Sequence, residues 1–463
     1  MSRWRLAAAL MLTALAAPAC TDDGIGIELG TPNTPPAATP ANEPGSDAGR
    51  KGVAIDVEPV DTGKTRALGA MRALCVPPEL VSTNDDGAPA DTPADVQQVE
   101  SQVEQVRALE FLHPVAVQPV SASEIAAKLE GAFDETYPKE FYDRRSVAWQ
   151  TIGVMPRTVS IRDALLAYQT GQVIGFYNPV DGELVYRADG DLDLAERVTL
   201  AHELTHAIDD QHFDLSRIDR LAGACRDEAF QAALGAVEGS AQFFSVKVLF
   251  EFPPADGDFG GLGGGGMPEG VPPFMADLQL WPYIAGQGFM TDLEARGGIA
   301  EVDVALRRFP TTTEQVLHPE RYPADRPSPV DVPDVAADLG PAWGDLDVMQ
   351  IGEAWLASML ELRLDASTAG AAAAGWDGGL YRAFTDGSDA AVVVSTAWDT
   401  TADADAFEQA VREWFGANGE RVVLGRPSPE RVTFAVSTSD DARVADTLGS
   451  AVTGATSKRR GGS

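Results

Sequence analysis

The stretch LAHELTHAIDDQH, residues 200–212, holds three of the five histidines in the chain. His202 and His206 stand four residues apart, so on a helix both imidazoles leave the same face. Two ring nitrogens at that spacing can reach one tetrahedral Zn²⁺, and Glu203 is then placed to act as a general base on a water. The pattern predicts two metal ligands, His202 and His206, and one catalytic residue, Glu203.

The third ligand has three candidates. His212 follows His206 at the spacing of the metzincins, but the sharp turn which that arrangement needs favours glycine, and the chain has Asp209 there. Glu228 and Glu238 lie on the next predicted helix, where Glu228 suits the N-terminal end of the helix dipole. Glu238 stands in VEGSA, whose small residues let a second helix come close to the histidines. We therefore predict Glu238 as the third ligand.

Two motifs carry a resemblance to a known family. LAHELTHAIDD resembles the active-site helix of thermolysin-like gluzincins, and EGSA is similar to their EGxA motif. HELTHAIDDQHFDL, EGSA and TTEQVLHPERY together also resemble a group of uncharacterised exported bacterial and archaeal proteins with a zincin signature. The resemblance covers Leu200 to Phe244 specifically and implies a zinc metallopeptidase with Zn²⁺ on His202, His206 and Glu238.

Further site residues follow from the chemistry of peptide hydrolysis. The developing oxyanion needs a donor, and TTEQVLHPERY contains His318 and Tyr322, of which we predict His318 as catalytic. Asp210, four residues after His206, occupies the position of an aspartate in the thermolysin-like helix, and the resemblance implies that it could orient a ligating histidine. The stretch VIGFYNP is a candidate edge strand that pairs with an extended substrate.

Composition excludes one class of partner. The chain has 70 acidic and 35 basic residues, a net charge of −35, so its surface repels a phosphate backbone and we predict no nucleic-acid binding. We expect a protein or peptide substrate and a monomer.

The first 20 residues have the layout of a bacterial secretory signal. Arg3 and Arg5 precede a short apolar run and small residues before Cys20, which resembles a lipoprotein box. We predict an exported protein held on the cell-envelope membrane only through a lipid on Cys20. Removing Cys20 leaves Cys75 and Cys225, either as one disulfide or as two buried thiols.

The organisation predicted beyond the signal is a linker over 21–65, a zincin-like core over 66–325, a smaller α+β unit over 335–452 and a loose tail over 453–463. The fold class is α+β, with a helical N-terminal part. Periodicity predicts helices over 95–112, 121–145, 159–171, 222–250 and 291–309, strands over 173–177 and 184–187, and a surface loop at the Gly-rich stretch 260–266.

The function predicted is zinc-dependent peptide hydrolysis on the exported side of the membrane. The alternatives are a non-catalytic envelope scaffold that keeps the metal helix for stability, a metzincin-type site that uses His212, and zinc-dependent hydrolysis of a different bond.

Overall fold

The computed structural model describes residues 57–60, 66–75, 92–136, 138–172, 175–179, 182–187, 192–254, 259, 269–416 and 422–454. The predicted signal with Cys20, the stretch 260–266 and most of the predicted linker and tail lie outside these residues. The described fold is mixed α+β, as predicted, with helices in the N-terminal part and a large sheet in the C-terminal part. Among the described residues, none of the helices combines the length and the apolar character of a membrane-spanning segment.

Helices form most of the N-terminal part. They are α1 (Ala67–Leu74), α2 (Ala94–Arg107), α3 (Ala122–Thr136), α4 (Lys139–Ile152) and α5 (Ile161–Gln172). The single helix predicted over 121–145 is wrong, because Pro138 lacks the N–H that would continue it and instead begins α4 as its N-cap.

A small three-stranded sheet follows in the N-terminal part. Its strands are β1 (Ala116–Val120), β2 (Gly175–Asn178) and β3 (Glu183–Arg187), in the order β1-β3-β2. β3 is parallel to β1 and antiparallel to β2. The two predicted strands are confirmed as β2 and β3, and β2 is an edge strand of this sheet.

Three helices follow the small sheet: α6 (Leu194–Phe213), which contains the opening stretch, α7 (Ile218–Gly223) and α8 (Asp227–Glu251). Asp193 begins α6 with a capping box, in which its side chain accepts from Glu196 N and Glu196 accepts from Asp193 N. The prediction of one helix over 222–250 is wrong at its start, because the chain breaks at Cys225, whose φ is 49°.

The next helices are α9 (Pro273–Gly297), α10 (Ile299–Arg307) and α11 (Thr313–Leu317). The helix predicted over 291–309 is interrupted at Gly298, where φ is 74°. α9 itself begins 18 residues earlier than that prediction (residue 273 against 291) and contains Pro282.

A five-stranded antiparallel sheet forms the C-terminal part, in the order β4-β5-β6-β8-β7. Its strands are β4 (Gly344–Gln350), β5 (Trp376–Thr385), β6 (Ala390–Trp398), β7 (Val422–Ser428) and β8 (Arg431–Ser437). Helices α12 (Ala336–Leu339), α13 (Glu353–Glu361), α14 (Ala366–Ala373), α15 (Thr401–Gly416) and α16 (Ala442–Val452) complete it.

The N-terminal part packs directly on this sheet. Trp149 of α4 shares one hydrophobic core with Trp355, Tyr381 and Trp414. Val60, inside the predicted linker, exchanges backbone hydrogen bonds with Asp345 of β4. The C-terminal unit is thus built into the rest of the molecule through a shared core.

Cys75 and Cys225 form a disulfide that joins the end of α1 to the turn between α7 and α8. Of the two alternatives for this cysteine pair, the structure has the disulfide. The bond ties the start of α8 to the N-terminal segment.

Candidate metal centre

The two histidines of the opening stretch lie on one face of α6, as their spacing predicts. His202 and His206 are each 1% exposed, and their rings meet edge to face with centroids 4.7 Å apart. The helix is fixed at its start by the Asp193 capping box and is backed by Leu200, Leu204 and Ile208, all fully buried. Both imidazoles are therefore held in place before any ligand binds.

Glu238 on α8 completes the cluster. Its Oε2 lies 3.1 Å from His202 Nε2 and 3.4 Å from His206 Nε2. One potential ligand atom from each of the three residues lies within 4.8 Å of the others, so the three could hold a metal ion. The structure brings together the three residues that the sequence predicts as ligands.

Several atoms of this cluster lack a hydrogen-bond partner among the described residues. They are His202 Nδ1, His206 Nδ1, His206 Nε2 and Glu238 Oε1. A buried polar atom without a partner costs on the order of 1–3 kcal/mol. The donor set of two imidazoles and one carboxylate fits a bound divalent cation, which would take up the unpartnered His206 Nε2. The two Nδ1 atoms lie on the opposite side of their rings and do not reach the same ion.

The electrostatics of the cluster favour the metal-binding forms of two of its three residues, whereas the pKa of His206 is raised because the effect of burial is outweighed by the nearby carboxylates, Glu238 first. Burial lowers the pKa of His202 to about 4, so its imidazole is neutral at pH 7 and keeps a lone pair. Burial would raise the pKa of Glu238, but His206 and His202 outweigh it and lower the pKa to about 2. The carboxylate is therefore ionised at neutral pH.

Glu203 is fully buried beside the ligands and is oriented by the small sheet. The backbone N–H of Tyr177, on the edge strand β2, donates to Glu203 Oε2 at 2.8 Å. The sheet edge thus lies against the metal-binding face of α6. This contact fixes the direction of the carboxylate that the sequence predicts as the general base.

Two tyrosines that sequence reasoning missed also lie at this centre. Tyr283 of α9 stacks on His202, with centroids 5.9 Å apart, and its hydroxyl hydrogen-bonds with Glu238. Tyr168 of α5 is 3% exposed and lies close enough for the charge of Glu238 to add to the effect of burial in raising its pKa. The two tyrosines lie on helices other than those that carry the ligands, so no short sequence motif links them to the site.

The sequence suggests that the small residues beside Glu238 pack against the histidine helix, and the structure differs at Gly239. Gly239 faces α9 and not α6: a Cβ on Gly239 or on Gly286 would overlap the backbone of the opposite helix. The glycine pair therefore brings Tyr283 close to the ligands. Contact with α6 is made instead by Ser240, whose hydroxyl donates to Asp209 Oδ2 at 2.6 Å.

The remaining ligand candidates lie elsewhere. α6 continues through Phe213, so His212 projects roughly 240° around the helix axis from His206, and it contacts the carbonyl of Glu110. Glu228 accepts hydrogen bonds from the backbone and the hydroxyl of Thr313. The structure therefore places neither His212 nor Glu228 in the metal-binding cluster.

The other residues predicted from the sequence, His318, Tyr322 and Asp210, hydrogen-bond with groups outside the metal-binding cluster. His318 hydrogen-bonds with Glu353 of α13, and Tyr322 donates to the carbonyl of Arg308 at 2.7 Å. Asp210 accepts from the Tyr177 hydroxyl and from Leu215 N, not from His206. Only the contacts of Asp210 involve a ligand-bearing helix, and none of these contacts joins a ligand.

Comparisons with known proteins give one partial match. Residues 342–459 match a family model described as a domain of unknown function, DUF8575. This region contains the C-terminal sheet with α13 to α16, and it excludes α12 and the metal centre. No curated protein matches the chain. No solved structure matches it either.

Proposed function

We propose that the protein is an exported zinc metallopeptidase of the gluzincin type. The observation that carries the proposal is the buried cluster of His202, His206 and Glu238 with Glu203 directed beside it. The ligand chemistry supports zinc among divalent cations, because two imidazoles and one carboxylate are a common catalytic zinc set. Three protein ligands leave the fourth position of a tetrahedral ion for water or substrate.

The spacing of the donor atoms supports the same ion. Atoms that lie 2.0–2.2 Å from a tetrahedral zinc are roughly 3.3–3.6 Å from one another. The distances from Glu238 Oε2 to the two Nε2 atoms, 3.1 and 3.4 Å, are close to that range. The carboxylate oxygen is thus spaced from each imidazole nitrogen roughly as a tetrahedral zinc requires.

Zinc, when bound, would act as a Lewis acid on the scissile carbonyl and would make a water more acidic. Glu203 takes the proton of the attacking water on its carboxylate and returns it to the leaving amine. Tyr177 N–H holds that carboxylate in place. Tyr283 orients two ligands at once, by stacking on His202 and by hydrogen-bonding with Glu238.

Access is the main structural requirement of this proposal. The ligands and Glu203 are at most 1% exposed, so a polypeptide reaches them only after neighbouring helices separate. The edge strand β2, from Gly175 to Asn178, is buried too, and pairing with substrate there remains a proposal. This burial also favours the second candidate function, an envelope scaffold with a structural metal.

The exported location is part of the proposal. The predicted signal with its lipid-bearing Cys20 supports it, and so does the Cys75–Cys225 disulfide, since such bonds persist in oxidising compartments.

The test is cleavage of a broad peptide library by the zinc-loaded full chain. Glu203→Gln should keep the metal and lose at least about 100-fold in kcat/KM, the usual contribution of a general base. Glu251→Gln, at an exposed position at the end of α8, is the matched control and should cleave like wild type. Equal activity of wild type and Glu203→Gln, or a metal-loaded wild type without activity, would favour the scaffold.

A further inference from the structure

The first turn of α8 meets α11 and α13 at a buried junction between the N-terminal and C-terminal parts of the fold. Each of the three helices has a glutamate in its first turn, namely Glu228, Glu314 and Glu353. None of the three residues is more than 8% exposed. Burial of an ionised carboxylate is costly unless the charge is paired, so the junction is sensitive to the protonation of these groups.

Glu228 connects the three helices. Its Oε1 accepts from both the backbone N–H and the hydroxyl of Thr313 on α11. The same Thr313 hydroxyl accepts from the backbone N–H of Ala354 on α13 at 3.2 Å. Gly352, the N-cap of α13, lies so close that a Cβ there would overlap Glu228 Oε2. The carboxyl of Glu228 is therefore held between α11 and α13.

The other two glutamates have few positive partners. Glu353 Oε1 lies 2.9 Å from His318 Nε2, and its Oε2 has no hydrogen-bond partner among the described residues. Glu314 Oε1 lies 3.0 Å from Arg321 Nη1, but the same guanidinium also pairs with Asp399. The positive charge that faces the three glutamates thus comes from one shared arginine and from a histidine that titrates.

The groups around Glu228 favour its protonated form. Burial raises the pKa of Glu228 to about 7, and the negative charges of Glu353 and Asp227 add to this effect against the hydrogen bonds from Thr313. Asp227 is itself paired with Arg145 Nη1 at 2.6 Å. No arginine or lysine in the described part of the chain forms an ion pair with Glu228.

The surroundings of Glu314 act in the same direction. Burial raises the pKa of Glu314 to about 9, and Asp325 and Glu353 add to this effect against Arg321. Both carboxyls are therefore protonated in the closed junction at pH values where exposed carboxyls are ionised.

His318 responds to pH with the same sign. Its hydrogen bond to Glu353 raises the pKa of the imidazole, against burial and the charge of Arg321, while Glu320 adds to the increase. The charged pair of His318 and Glu353 is therefore lost as the pH rises. All three titrations weaken the closed junction in the same direction.

We propose that this junction is a pH-sensitive catch, closed in mildly acidic surroundings and released as the pH rises above neutral. With their protons, Glu228 and Glu314 lie beside Glu353 without repulsion. Without them, negative charges in a buried space favour separation of α8 from α11 and α13. The pH then controls how firmly the C-terminal part holds the first turn of the helix that carries Glu238. Release at this junction does not require the proposed peptidase activity.

The test is hydrogen–deuterium exchange of the full chain at pH 6 and pH 8, with each rate divided by that of an unstructured peptide at the same pH. Protection in the first turns of α8 and α13 should fall by at least about tenfold. A carboxyl whose pKa drops from about 7 to 4.5 on release changes the opening equilibrium by that factor over this interval. Strands β5 and β6 should keep their protection.

Glu228→Gln and Glu314→Gln each replace a titrating carboxyl by a neutral amide of similar size. Each variant should lose less protection than wild type between the two pH values, and the double variant should lose less than either. Exposed Glu251→Gln, at the other end of α8, is the matched control and should behave like wild type.

Three results would overturn the catch. They are equal protection of wild type at the two pH values, a fall in the double variant as large as in wild type, and an equal fall in β5 and β6, which would show unfolding of the whole chain. Circular dichroism at both pH values checks that each variant is folded. If the double variant does not fold, the single variants and the wild-type comparison decide the outcome.

Discussion

The hydroxyl of Ser240 donates to Asp209 Oδ2 at 2.6 Å and thereby joins the two helices that carry the metal ligands. Ser240 follows Glu238 by two residues, and Asp209 follows His206 by three. The other oxygen of Asp209 accepts from Arg107 Nε at 2.7 Å, and Arg107 is fully buried. Asp209, which stands where a metzincin would turn its chain, serves here to fix α6 against α8 and α2.

Removing this cross-link should loosen the metal centre. Ser240→Ala removes one hydrogen bond to Asp209 and lets α8 shift relative to α6. We therefore expect zinc affinity to fall about tenfold, which is the smaller end of the loss usually seen when a residue that supports a metal ligand is changed. Zinc titration against a competing chelator measures the change. Ser245→Ala is the matched control, since the hydroxyl of that buried serine donates to the carbonyl of Gln242 on its own helix and to no other group in the described part of the chain. Equal affinities of the two variants would contradict a supporting role for Ser240.

The raised pKa of Glu228 predicts that the stability of the fold depends on pH. Burial raises its pKa from an ordinary value of 4.5 to about 7, against the opposing hydrogen bonds from Thr313. Between those two values the unfolded chain is ionised at this position and the folded chain is protonated. The protonated Glu228 carboxyl therefore contributes its full share to the free energy of unfolding below pH 4.5, and this share is lost as the pH rises to about 7.

Glu228→Gln removes this titration and keeps an oxygen that can accept from Thr313. The free energy of unfolding, measured by urea titration between pH 5 and pH 8, should fall less steeply for the variant than for wild type, by about 1–3 kcal/mol over the interval. Exposed Glu251→Gln should follow the wild-type curve. Parallel curves for wild type and Glu228→Gln would contradict the raised pKa.

The local part of the site could be predicted from the sequence. The spacing of His202 and His206 on a helix fixes their common face, and the short segment EGSA points to Glu238. The paired strands β2 and β3 follow from a change of periodicity around a turn-rich stretch. Each of these features lies within a few residues of chain.

The features of the site that could not be predicted from the sequence depend on contacts between segments that are far apart in the chain. Residues 273–290 of α9 give no clear helical pattern because Pro282, Gly286 and Gly288 interrupt it, so the sequence does not indicate Tyr283. His318 has suitable chemistry, yet its partner Glu353 comes from the C-terminal part of the chain. Tyr168 gains its position only through the packing of α5 near Glu238, for which no local pattern exists.

The zinc content of the full chain tests the central claim most directly. After dialysis against a weak chelator, wild type and His212→Ala should each retain about one zinc per chain, whereas Glu238→Ala should retain almost none. Circular dichroism on each sample shows whether the fold survives. Metal loss in His212→Ala with retention in folded Glu238→Ala would contradict the account and move the third ligand to the histidine.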